Sequence, residues 1–183
     1  SENIYFIGSS LSIDDGNLVN NLPYAFSRIF KTLSSLRLNP RIVFCTHAFE
    51  GGHPDHDSCY AITRKLSLLM DKSYLLSIPY YRSSSLFPSL YKVMAPLNHN
   101  GDYFSFPFSR SSILTFLRLS FLYKSQRISM LMLAPFAAFH VLVNAYLPIH
   151  YNTKYALMVR PMNSATFSEK RFKLNWKKGR ITP

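Results

Sequence analysis

The sequence predicts an α/β fold in which helices flank a parallel β-sheet. One observation is the order of local patterns: a strand-like segment at 3–8, a helical segment at 21–38 and a second strand-like segment at 41–46. Such a strand–helix–strand unit sets its two strands parallel through a right-handed crossover. The other observation is composition, since 48% of the 183 residues are apolar and 16% are charged. These proportions suit one domain with a sizeable core and exclude a generally disordered chain.

Breaker residues divide the first part of the chain into these elements. Gly8 ends the first strand, and the Asp-Gly pair at 15–16 supplies turn chemistry in the loop that follows. Between 21 and 38 the apolar residues recur at three- and four-residue spacing, with Pro23 suited to a first helical turn. Pro40 then ends the helix.

The run RIVFCT (41–46) is continuously apolar, which is typical of a strand buried on both faces of a parallel sheet. Cys45 lies in this run and Cys59 in a predicted helix at 57–69, where a free cysteine acts as a small hydrophobe. Two cysteines make no disulfide framework, so they favour a reducing, cytoplasmic setting.

The second part of the chain is less regular. A strand at 74–81 is broken by Pro79, and the Ser-, Pro- and aromatic-rich stretch 82–108 predicts a long irregular excursion. Further on, the patterns predict two helices and a last strand, at 112–126, 128–147 and 154–159. No domain boundary is evident, so residues 1–183 are expected to form a single domain.

The segment 128–147 is about as long as a bilayer-spanning helix. It contains Pro135, His140 and Asn144, and polar side chains of this kind are costly in lipid. We therefore expect a helix buried in the core and kinked or interrupted at Pro135. A membrane span is the alternative.

Positive charge is concentrated in the second half. Residues 1–102 hold nine Lys and Arg against eight Asp and Glu, whereas residues 103–183 hold twelve against Glu169 alone. The densest part is a basic tail at 169–183. No nucleic-acid-binding signature accompanies it, so nucleic acid is not expected as a partner. A peripheral membrane surface remains an open alternative.

The most informative stretch is EGGHPDHD (50–57), directly after the second strand. His53 and His56 stand three apart among carboxylates, and ligands of open α/β sheets bind at the carboxyl ends of strands. Imidazoles and carboxylates at this density are what a divalent metal or a proton-transfer site needs. The simpler interpretation is that Asp55 or Asp57 caps the following helix, but capping alone leaves both histidines unexplained.

The segment RIVFCTHAFEGGHPDHDSCYAI (41–62) strongly resembles the PIG-L/LmbE-like zinc-dependent N-deacetylases. These enzymes remove acetyl groups from N-acetylated amino sugars and related glycoconjugates. The string GGHPDHD matches the second motif of the family, and the clear resemblance covers about residues 2–80. It implies a Rossmann-like, LmbE-like parallel sheet flanked by helices.

The resemblance also implies roles for three residues. His56 would be a zinc ligand. His53 would face the scissile amide and stabilise the oxyanion or protonate the leaving amine. Asp55 would orient His53 and raise its basicity. The expected reaction is metal-assisted hydrolysis of an N-acetyl or other N-acyl group.

The chain departs from the family in one respect. Family members carry an earlier AHPDDE-like motif after their first strand, which supplies two further zinc ligands and a general base. That string is absent, and the only candidate early carboxylates are Asp14 and Asp15, with no histidine before them. We therefore expect an N-terminally truncated member that lacks its first strand and is inactive or impaired as this chain. His47, His99 and His150 have no spacing that argues for completing the zinc site.

Two other functions remain open at this point. One is a non-catalytic pseudoenzyme or carbohydrate-binding module. The other is a basic protein of membrane surfaces that uses residues 103–183.

Overall fold

The computed structural model describes residues 7–36, 42–51, 53–70, 73–83, 91–97, 100–107, 109, 111–112, 115, 118–119, 122, 127–144 and 146–153. This part of the chain is a mixed α/β structure. Its elements are, in chain order, α1 (Leu22–Ser35), β1 (Ile42–His47), α2 (Pro54–Leu69), β2 (Ser73–Ile78), β3 (Tyr81–Ser83), β4 (Tyr91–Val93), β5 (Tyr103–Pro107), α3 (Arg127–Asn144) and β6 (Tyr146–Thr153).

The main sheet has four strands in the order β1-β2-β6-β5. β1 and β2 are parallel and α2 connects them, whereas β6 runs antiparallel to both β2 and β5. β3 and β4 form a separate antiparallel pair. The α/β class and the parallel pairing of β1 with β2 are confirmed, but the sheet is mixed, because β6 runs antiparallel to its two neighbours. Local patterns report that a segment is extended, but the direction of a strand depends on where its preceding connection ends.

The predicted helix at 21–38 is confirmed as the shorter α1, with a proline in its first turn. The turn at 15–16 is confirmed as well: Asn17 N donates to Asp14 O at 3.1 Å, and Gly16 has φ 79°. Of the predicted first strand, Gly8 begins a one-turn 3₁₀ helix, and residues 1–6 lie outside the described part. The strand–helix–strand unit that the structure shows is accordingly β1–α2–β2.

The prediction that β1 is buried on both faces is wrong. Val43 is 56% exposed and Cys45 is exposed, whereas Phe44 between them packs against the core. The core residues of α1 and α2 pack on the face of β1 that carries Phe44. On the other face Val43 lies beside Tyr74, which is 50% exposed, and among the strands that the structure describes β1 lies at an edge of the sheet.

The core that positions the site lies between α1, α2 and the sheet. Its buried members are Val19, Leu22, Ala25, Phe26, Ala61, Ile62 and Leu66. Burial contributes about 1.5–3 kcal/mol for each of the larger side chains among them and less for the two alanines. Because α2 lies against both β1 and α1, its first turn is fixed next to the end of β1.

The second part of the chain corrects two predictions. The stretch 82–108 contains β4 and β5 and part of β3, so it is not wholly irregular. α3 confirms that this segment is helical, but the helix continues through Pro135. The prediction that it is buried in the core is wrong, because Ile128, Leu142 and Val143 are more than 60% exposed. None of the helices in the described part is long and apolar enough to cross a membrane. Most of the predicted helix at 112–126, the predicted strand at 154–159 and the basic tail lie outside the described residues.

Candidate active site

The candidate site lies where β1 and β2 end and α2 begins. His47 is the last residue of β1, and the ladder continues for one more bond from Ala48 N to Ile78 O, at 2.8 Å. His53 is the N-cap residue of α2, and His56 lies in the first turn of that helix. Pro54 occupies the start of the helix, which its fixed φ favours.

Three histidines meet at this point, and we refer to His47, His53 and His56 as the histidine cluster. The rings of His47 and His56 are stacked, with centroids 4.0 Å apart and planes 8° apart. The His53 and His56 centroids are 5.0 Å apart and the planes are inclined by 41°. Two tyrosines that follow β2 close the cluster: Tyr80 and Tyr81 each approach the His56 ring at 5.7 Å.

Glu50 of the same motif serves the main chain. Its side chain is buried, and Oε2 accepts hydrogen bonds from Tyr80 N at 2.6 Å and Tyr81 N at 3.1 Å. These bonds tie the loop after β1 to the segment after β2. Glu50 therefore holds the two tyrosines against the histidine cluster.

Asp57 folds the loop back on itself. It is 1% exposed, and its Oδ1 accepts hydrogen bonds from Glu50 N at 3.0 Å and Gly51 N at 3.1 Å, while Oδ2 also accepts from Gly51 N at 3.1 Å. Gly51 has φ 73°, a conformation that favours glycine. A carboxylate in the first turn of a helix is also favoured by the helix dipole.

Asp55 binds a third piece of main chain. Its Oδ2 accepts from Gly16 N at 2.6 Å and its Oδ1 accepts from Leu18 N at 3.0 Å. The loop before α1 is thereby attached to the start of α2. The predicted contact between the Asp55 carboxylate and His53 stays a prediction, because the bond shown between these residues comes from the Asp55 main chain.

That bond specifies the state of the His53 ring. Asp55 N donates to His53 Nδ1 at 3.2 Å, so Nδ1 is the acceptor and carries no proton. In a neutral imidazole the proton then resides on Nε2. His53 accordingly offers an N–H donor on the side of the ring that faces away from the helix cap.

Burial makes the other two histidines neutral as well. Burial is the main cause that lowers the pKa of His47, and the neighbouring His53 adds to it. The pKa of His56 falls to about 4, because burial, His47 and His53 together outweigh the charge of Asp15, which raises it. Asp15, one of the two early carboxylates, therefore lies close enough to act on the cluster.

Neutral imidazoles are the state that binds metals, so the chemistry of the donors suits zinc. Their geometry does not. Ring lone pairs lie in the ring plane, and the stacked rings of His47 and His56 hold theirs in two nearly parallel planes, which do not meet at one metal position. Within the described residues, no group of three or more His, Cys, Asp or Glu side chains is arranged to hold a metal ion. A catalytic zinc needs three protein ligands, so these residues do not hold zinc on their own.

Of the predicted site residues, the structure brings His53, Asp55 and His56 together. His47 joins them, although its spacing gave no reason to expect it. His150 is buried in β6, where Nδ1 lies 3.0 Å from Gly101 O, and His99 lies outside the described residues.

Sequence reasoning missed the tyrosine pair at 80–81. The available signal was its position directly after the proline that ends β2.

Comparisons of this chain with family models, with curated proteins and with solved structures gave no match.

Proposed function

We propose that this chain carries part of the active site of a hydrolase that removes an N-acetyl or other N-acyl group from an amino-sugar conjugate. The observation that carries the proposal is the histidine cluster, three neutral imidazoles assembled where β1 ends and α2 begins. The same proposal includes the finer fold of the chain, a Rossmann-like sheet of the LmbE-like type. It also includes a reducing cytoplasmic setting.

The structure supports one of the two roles considered for His53. In amide hydrolysis, water adds to the carbonyl carbon, negative charge develops on the carbonyl oxygen, and the C–N bond breaks to give a carboxylic acid and an amine. A general acid must give a proton to the leaving amine, which a neutral ring with its proton on Nε2 does poorly. The same Nε2–H suits donation to the oxyanion, where one such donor is worth about 10²–10³ in rate.

His56 is the proposed zinc ligand. Zinc held in part by His56 would supply an activated water and polarise the carbonyl. Because His56 is the only ligand assigned among the described residues, activity of this chain alone is expected to be weak.

Acetate release from methyl N-acetylglucosaminide, with zinc in the buffer, tests the proposal. We expect slow release that His53→Gln and His56→Gln abolish. His140→Gln is the matched control: this histidine lies in α3, bonded to Tyr146 O and Asn144. Loss of activity in all three variants, or no release by the folded wild-type chain, would count against a hydrolase.

A second candidate function is a binding module for carbohydrates that uses no metal. The stacked His47 and His56 rings favour it, because their lone pairs do not converge. Aromatic faces at Tyr80 and Tyr81 would then contact the sugar. Saccharide binding measured by calorimetry without acetate release, and unaffected by a zinc chelator, would identify this alternative.

A further inference from the structure

A cavity of about 610 Å³ lies directly beside the histidine cluster. It is formed by the end of β1, one side of α2, the end of β2 and two residues from later in the chain. The lining residues are Cys45, Thr46, His47, Cys59, Thr63, Ile78, Pro79, Tyr80, Met94 and Leu147. His47 and Tyr80 belong to both the cavity and the candidate site, so the two spaces are continuous.

The lining favours an uncharged, apolar occupant. Among the described residues that line it there is no Lys, Arg, Asp or Glu side chain. The volume lies within the range of small-molecule pockets, and at ~30 Å³ per molecule it equals roughly twenty waters. A hydrocarbon chain of moderate length matches both the size and the chemistry.

One wall of the cavity carries backbone strain. Met94 has φ 52°, a left-handed conformation that costs a side-chain-bearing residue free energy, and it is only 4% exposed. Its N–H donates to Tyr80 O at 3.0 Å, which fixes it to the segment next to the cluster. Strained residues of this kind concentrate at ligand-binding sites.

The order of the rings indicates which part of a substrate the cavity receives. His56 contacts both other rings, but only His47 lines the cavity. With the amide carbonyl at the Nε2–H of His53 and the sugar beyond it, the acyl group extends past His56 towards His47. We propose that the cavity binds the acyl chain of the substrate, and that the preferred substrates carry acyl groups longer than acetyl. This inference rests on the proposed function for the direction in which the substrate lies.

A chain-length series tests this assignment without any need for turnover. The probes are N-acetyl-, N-butanoyl-, N-hexanoyl- and N-octanoylglucosamine, with binding measured by calorimetry. Each added methylene should tighten binding by about fourfold until the cavity is full. Affinity that does not depend on acyl length would overturn the proposal.

The two cysteines provide a second measurement, because Cys45 and Cys59 are the only thiols of the chain and both line the cavity. Cys45 is exposed, whereas burial first and Asp55 second raise the pKa of Cys59. N-octanoylglucosamine should slow maleimide labelling of Cys45 severalfold, and N-acetylglucosamine should not. Equal labelling rates with both probes would contradict an acyl chain in the cavity.

Thr63→Phe fills the cavity from α2 and should abolish the dependence of affinity on chain length. Leu69→Phe, at a position on the same helix that is 37% exposed, is the control and should retain the dependence. If Thr63→Phe does not fold, the wild-type series and the thiol labelling still decide the question.

A matched series of alkyl N-acetylglucosaminides distinguishes the two ends of the substrate. Length dependence in that series alone would overturn the assignment to the acyl side. Length-dependent binding of the N-acyl series with no acid released from any member would overturn the proposed hydrolysis and leave the acyl-chain site standing.

Discussion

Replacing Asp57 by asparagine should destabilise the loop that carries the histidine cluster. Asp57 is 1% exposed and accepts from two main-chain N–H groups, those of Glu50 and Gly51, at 3.0–3.1 Å. In Asp57→Asn one carboxylate oxygen becomes an NH₂ group, and charge-assisted bonds become neutral ones.

The magnitude follows from the strength of these bonds. Hydrogen bonds to charged groups are worth about 1.5–3 kcal/mol, against roughly 0.5–1.5 kcal/mol for neutral ones. Asp57→Asn weakens the hydrogen bonds from two N–H groups and removes a favourable interaction with the helix dipole. Relief of a buried charge offsets part of this, so the free energy of unfolding should fall by about 2 kcal/mol. For a chain of this size that corresponds to about 4–8 °C in Tm.

The assay is urea unfolding together with hydrogen exchange of the Glu50 and Gly51 amides. Both amides should lose protection in Asp57→Asn. Asp14→Asn is the control, because Asp14 is exposed, and its unfolding free energy should change by less than about 0.5 kcal/mol. Unchanged stability and protection in Asp57→Asn, combined with lost zinc or saccharide binding, would refute the structural role and make Asp57 a functional carboxylate.

Three further predictions concern other residues. The folded chain should lose stability as pH falls from about 6.5 towards 4, because unfolding returns the pKa of His56 from about 4 to its ordinary value of 6.5. The half-exposed ring limits this loss to about 1–2 kcal/mol. His56→Gln should flatten the pH dependence of the urea midpoint. An equally steep dependence in His56→Gln would assign it to other groups. Asp55→Ala should release the loop at Gly16 and Leu18 and speed exchange of those amides, with no effect on the Glu50 amide. Val43→Lys on the exposed edge strand should raise solubility, whereas Val43→Thr should not. Self-association is measured by ultracentrifugation, and equal values in both variants would argue against aggregation through this edge.

Local sequence patterns were sufficient to predict the helices and strand that surround the site. Apolar spacing located α1 and α2, and the breaker at Pro40 separated α1 from β1. The same reasoning placed EGGHPDHD at a strand end and a helix start, where the structure has it. These features depend on neighbours within a few residues, which is the range over which periodicity and turn chemistry act.

The roles of the carboxylates depend on partners that are far away in the chain. Glu50 bonds to main chain 30 residues later, and Asp55 bonds to main chain 39 residues earlier. Local spacing contains no information on such contacts, so the cluster of acids and histidines suggested a metal site more strongly than the geometry does. Strand direction was missed for the same reason, because β6 pairs with β2 across more than 70 residues of chain.

The central claim is that the carboxylates of the motif build a loop which presents three neutral imidazoles. Long-range proton–nitrogen NMR of the histidine side chains across a pH series measures this directly. The account predicts that His56 stays neutral down to about pH 4 and that His53 carries its proton on Nε2. A His56 that titrates near its ordinary value of 6.5, or a His53 protonated on Nδ1 at neutral pH, would contradict it.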